Sequence, residues 1–154
     1  MINIAHIHPM LVHFPIVLFF IAVGVELIVL IRGGDLIGQQ CLPRIALSAL
    51  VLAALAAIVA ASFGDMAFDK AIDLGFPRPP LEEHEELGFT TMWFFIGLSV
   101  LHVLALWRKI PLSGAKGWVI FALGLIGIGI LLVTAYHGGE LVYRFGVNVL
   151  PVKP

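Results

Sequence analysis

Four apolar runs constrain this chain more than anything else in it: residues 9–32, 44–64, about 81–107 and 117–137. As helices rising about 1.5 Å per residue, each can cross a hydrocarbon core ~30 Å thick. Soluble buried helices seldom run so long without charge, and four in succession argue against a soluble core. The composition agrees, since 60% of the 154 residues are hydrophobic and only 12% charged, with a mean hydropathy of +1.06. A soluble domain of this size needs far more charge on its surface. The expected fold class is an all-α integral membrane protein. It is read as one four-helix transmembrane bundle over residues 1–154, with 138–154 as an interfacial tail.

Several function classes drop out early. The net charge of -1 comes without a basic patch, so nucleic acid is not an expected partner. Cys41 is the only cysteine, which excludes an internal disulfide, and no CxxCH motif is present for covalent haem attachment. There is no HExxH, no P-loop and no nucleophile elbow, so hydrolytic enzymes fit poorly. No basic region precedes the first apolar run, which is therefore read as a retained span and not a cleaved signal peptide.

Two connections are short and basic. One is bounded by Arg32 and Arg44, and the other carries Arg108, Lys109 and Lys116. These five of the nine Lys and Arg residues predict cytoplasmic loops, against Lys70, Arg78, Arg144 and Lys153 on the longer opposite segments. Both termini are then extracytoplasmic, Cys41 is cytosolic, and the expected location is a bacterial cytoplasmic (inner) membrane.

On that topology the histidines gather at one end. His13 lies at the outer end of the first span, His84 at the outer start of the third, and His137 at the outer end of the fourth, with Asp65 ending the second at the same level. Single interfacial histidines are ordinary, because polar groups cost least there; one proton-active or metal-capable side chain per helix is less so. His8 precedes Pro9, and Pro15 cannot donate to the Leu11 carbonyl, so a kink is expected that could aim His13 into the bundle. Gly88 follows His84 one turn later, while Gly138 and Gly139 allow a bulky group to approach His137. Tyr136, Tyr143 and Arg144 suit an interfacial belt, or an anchor for carboxylates.

Small residues line the second span at Ala46, Ala49, Ala53, Ala57, Ala60 and Gly64. Close helix packing is their usual role, and room for a flat cofactor the alternative; the same holds for Gly124, Gly127 and Gly129. Nearer the other membrane face, Glu26 lies six residues before Arg32 and His102 six before Arg108, so both sit about 9 Å inside the boundary. An intramembrane acid normally has a partner, and matched depth makes these two candidates for each other, as a structural or proton-handling pair.

The segments "HPMLVHFP" and "HGGELVYRFGVNV", with Asp65 and His84-x-x-Leu87-Gly88 between them, resemble the membrane family known as domain of unknown function 2231. The likeness covers nearly the whole chain, and His8, His13, Asp65, His84, Gly139 and Tyr143 match its motif positions. It implies a four-span bundle. Relatives fused to Rieske or cytochrome c domains imply electron-transfer company, supplied here by a separate chain.

The leading expectation is a b-type cytochrome-like protein relaying electrons between a membrane quinol and an extracytoplasmic acceptor. Haem b would take two of His13, His84 and His137 as axial ligands, with His13 and His137 the preferred pair, and the remaining histidines, His8 among them, or Arg144 orienting propionates. The alternatives are Zn, Cu or Fe held directly by His13, His84, His137 and Asp65 or Glu140, or a structural subunit without cofactor. Self-association into a homo-oligomer is compatible with all three.

Overall fold

The computed structural model describes residues 6–149, and the described residues are helical with no strand. The elements are α1 (Ile7–Leu11), α2 (His13–Ile31), α3 (Cys41–Asp73), α4 (Arg78–Arg108) and α5 (Gly114–Tyr143). Ile7–Ile31, Cys41–Asp73, Arg78–Arg108 and Gly114–Tyr143 are each long and apolar enough to cross a membrane. Lys153 and the end of the tail lie outside the described residues.

The break between α1 and α2 falls at Val12, whose backbone remains helical, so the two pieces run on as one span. Its cause is Pro15. Val12 N–H still bonds the His8 carbonyl and Ile16 N–H reaches Val12, but Pro15 has no N–H for Leu11 between them. Two expectations need correcting. The kink does not turn His13 inward, since His13 is exposed while Pro15 is buried. Residues 138–143 do not form a separate tail but continue α5 as helix, because Gly138 and Gly139 accept helical geometry and the chain turns only at Gly146, where φ is +72°.

The helices stand in a square, each touching its sequence neighbours and α5 closing against α2, so that α2 and α4 occupy one diagonal and α3 and α5 the other. Apolar packing fills the centre. Phe19 and Phe95 stack across the α2–α4 diagonal with ring centroids 3.8 Å apart and planes 8° from parallel. Gly127 makes room for that stack, since a Cβ there would stand 2.7 Å from Phe19 Cζ. The stripe of Ala46, Ala49, Ala53, Ala57 and Ala60 is buried by neighbouring helices, so its small side chains serve close approach. Outward, residues such as Val17, Ile21, Leu52, Leu55, Val100 and Leu132 are exposed, as a lipid-facing surface requires.

At the end away from the termini, the two short connections grip each other. Leu36 N–H donates to the Leu112 carbonyl at 3.1 Å, and Asp35 Oδ1 accepts from Leu112 N–H at 2.9 Å and Ile37 N–H at 3.1 Å. Polar backbone that no helix satisfies is thereby paired. At the end carrying the termini, called the outer end below, Ala71, Leu81 and Leu141 form a second small core.

Candidate functional site

The outer end brings together His8 and His84. Their ring centroids lie 6.2 Å apart, with the ring planes at 77° to each other. His8 comes from α1 and His84 from α4, so the pair spans the bundle diagonal.

Each ring packs against the following helix. His8 Nδ1 donates to the Ala60 carbonyl at 2.9 Å, which fixes its tautomer and leaves Nε2 as the lone-pair nitrogen. Gly64 lies flat against the ring, where a Cβ would stand 3.1 Å from His8 Cε1. His84 rests in the same way on Gly138, 2.9 Å from where a Cβ would be, with the Thr134 backbone facing the ring. His84 Nδ1 is buried without a hydrogen-bond partner. Such an atom is costly unless something else meets it. Gly88 and Gly139 expose bare helix beside the pair, with no atom within 4 Å of either Cβ position. One turn below Gly88, Thr91 and Thr134 close the polar layer with hydroxyls 2.8 Å apart.

The other sequence candidates stand around this pair and outside it. His137 Nδ1 is 3.8 Å from Glu83 and 3.9 Å from Glu140, and Arg144 reaches Glu140 at 3.4 Å, so these side chains form an ionic patch at the surface in which His137 and Glu140 are half-buried. Asp65 is exposed and faces Glu85. Tyr143 and Tyr136 are both exposed. His13 points away, and His6 is exposed. Among the described residues no three His, Cys, Asp or Glu side chains are arranged to hold a metal ion, so His13, His84, His137 and Asp65 or Glu140 do not converge into a bare-metal site.

The inward placement of His8 has a signal in the sequence. Positions 8, 15, 19, 22 and 26 form one helical stripe, and His13 is off it; His8, five residues earlier, is therefore rotated by about 140° onto the inward face.

The second polar site lies deep in the other half. His102 Nε2 is 2.9 Å from Glu26 Oε1, and both residues are 1% exposed. His102 Nδ1 donates to the Leu98 carbonyl at 2.9 Å. Because a carbonyl only accepts, Nδ1 keeps its proton, and the short gap between Nε2 and Oε1 takes one more. The pair is then neutral overall whichever atom holds it, which suits a membrane interior.

The family described as "Predicted membrane protein (DUF2231)" matches residues 5–151. The chain belongs to this family. Within DUF2231, its integral membrane character and four apolar spans are thus supported by both the family match and the helices themselves. No curated protein and no solved structure matches the chain.

Proposed function

We propose that this DUF2231 protein is a membrane redox protein of the b-type cytochrome kind. It binds haem b at the outer end and relays electrons between a membrane quinol and an extracytoplasmic acceptor such as a cytochrome c or Rieske protein. The observation that supports this is the His8–His84 spacing. Two imidazoles bound to opposite sides of one metal through bonds of ~2.0–2.1 Å hold their ring centroids about 6 Å apart, and these stand at 6.2 Å. Haem iron needs only two protein ligands, whereas a structural zinc site needs four.

Bound haem would supply reversible one-electron chemistry. The chain's own residues do the rest. The Ala60 carbonyl orients His8 and raises its basicity as a ligand. Gly64 and Gly138 let the imidazoles lie close to α3 and α5. Eight of the ten acidic residues (Asp65, Asp69, Asp73, Glu82, Glu83, Glu85, Glu86 and Glu140) belong to the outer end, a charge that suits docking of a basic electron acceptor.

The deciding measurement is the visible spectrum of protein purified from haem-replete cells. We expect the bands of low-spin haem b, with one haem per chain by pyridine haemochromogen assay. Colourless protein would overturn the reading, and elemental analysis would then separate a bare-metal binder from a subunit without cofactor.

The same reading places the outer end outside the bacterial cytoplasmic membrane, on the strength of the basic short loops. Native Cys41, exposed at the inner end, provides one half of the test. An impermeant maleimide should leave Cys41 unlabelled in intact cells and should label Leu74→Cys in a Cys41→Ser background. The opposite pattern inverts the orientation.

A further inference from the structure

Three side-chain contacts cross the α2–α4 diagonal, and in each the partners are 76 residues apart: His8 with His84, Phe19 with Phe95, and Glu26 with His102. The same interval governs the ends of these helices. Gly33 and Lys109 both adopt left-handed backbone, with φ of 68° and 54°. Gly33 N–H bonds Leu30 and Lys109 N–H bonds Leu106; Gly34 N–H bonds Val29 and Ile110 N–H bonds Ala105. Leu36 then donates to its own counterpart, Leu112.

The following helices repeat at 74 residues. Gly64 and Gly138 supply the flat surface to the histidine of their own half, a Cβ on either standing 3.1 Å or 2.9 Å from the ring's Cε1. Buried positions correspond as well: Ala46 with Ile120, Leu50 with Gly124, Ala53 with Gly127. Apolar helices resemble one another by composition, but composition does not make residues meet their own equivalents. A two-fold axis does, because on it each residue faces itself. Parallel repeats about an axis along the membrane normal are an established membrane architecture.

We infer that the chain is two copies of one two-helix unit, residues 8–73 and 84–147, about a pseudo-two-fold axis, and that His8 and His84 are equivalent ligands of a single centre on that axis. The identity of the centre rests on the proposed function; the equivalence rests on the repeat. A group on such an axis must offer two like positions on opposite sides, as the axial positions of haem iron do. His13 and His137 have no such relation, since the first corresponds to Phe89 and the second to Phe63. The halves depart from equivalence at Glu26 and His102. Two glutamates or two histidines there would oppose like groups in a dry core, and an acid against a base removes that conflict.

Spectra of the haem-loaded protein test this. His8→Ala and His84→Ala should each convert low-spin haem to a high-spin form or lose it, to the same extent, and added imidazole should restore the low-spin bands in both. His13→Ala and His137→Ala should keep the wild-type spectrum. Where an alanine variant fails to insert, Gly64→Ala and Gly138→Ala take its place, since their methyl groups would press on His8 and His84 and should perturb the low-spin electron paramagnetic signal alike. A coloured wild type whose spectrum ignores either His8 or His84, or follows His13 or His137 instead, overturns this assignment alone. Colourless wild-type protein overturns it together with the proposed function.

Discussion

His102→Leu should lower stability by about 3–5 kcal/mol, the range for breaking a buried ion pair from one side. The loss would come from Glu26. Its Oε1 would lose the nitrogen 2.9 Å away, and Oε2 already lacks a hydrogen-bond partner. Helices α3 and α5 offer no replacement, because their residues near this level, such as Leu50, Ala53 and Gly124, carry no titratable side chain. Replacing both members at once, Glu26→Leu with His102→Phe, should restore most of the loss, because removing both polar partners removes their desolvation cost with them. Reversible unfolding in mixed micelles would measure this. A single variant within about 1 kcal/mol of wild type would show that Glu26 does not depend on His102 as its buried partner.

Asp35→Ala should cost about 1.5–3 kcal/mol, since backbone hydrogen bonds to a charged group are worth more than neutral ones. One oxygen, Oδ1, accepts from both Ile37 and Leu112, so its removal frees two amides and unties the α2–α3 connection from the α4–α5 connection. Asp35→Asn keeps an acceptor in place and should lose less. Amide hydrogen exchange gives the sharper reading: Leu112 should lose protection in Asp35→Ala, whereas Phe19 in the core should not. Equal loss at both would mean the clamp stabilises the whole bundle and not this junction.

How far the sequence could be read depended on the kind of signal. Run length and polarity sufficed for the four spans, because a bilayer demands about 20 apolar residues of a helix whatever its neighbours do. Depth sufficed to match Glu26 with His102, since rise per residue is fixed and the basic residues at positions 32 and 108 mark one common boundary. The outer histidines were harder. Position along the chain placed His13, His84 and His137 at one level, yet level does not say which way a side chain points.

Rotation about the helix axis decides that, and packing sets rotation. Pro15, Phe19 and Glu26 turn inward, carrying His8 with them and leaving His13 outside. The interval of 76 residues was also present in the sequence, but as sparse identities among apolar residues that any two spans share. It became legible when His8 met His84, Phe19 met Phe95 and Glu26 met His102. The sequence by itself determined the class of fold, the depth of each polar residue and the end at which the histidines gather, because those follow from distance along a helix. Which helices share a diagonal, which histidines face the axis and which carbonyl orients His8 were decided by tertiary structure alone, because they depend on how small residues on α3 and α5 let α2 and α4 approach.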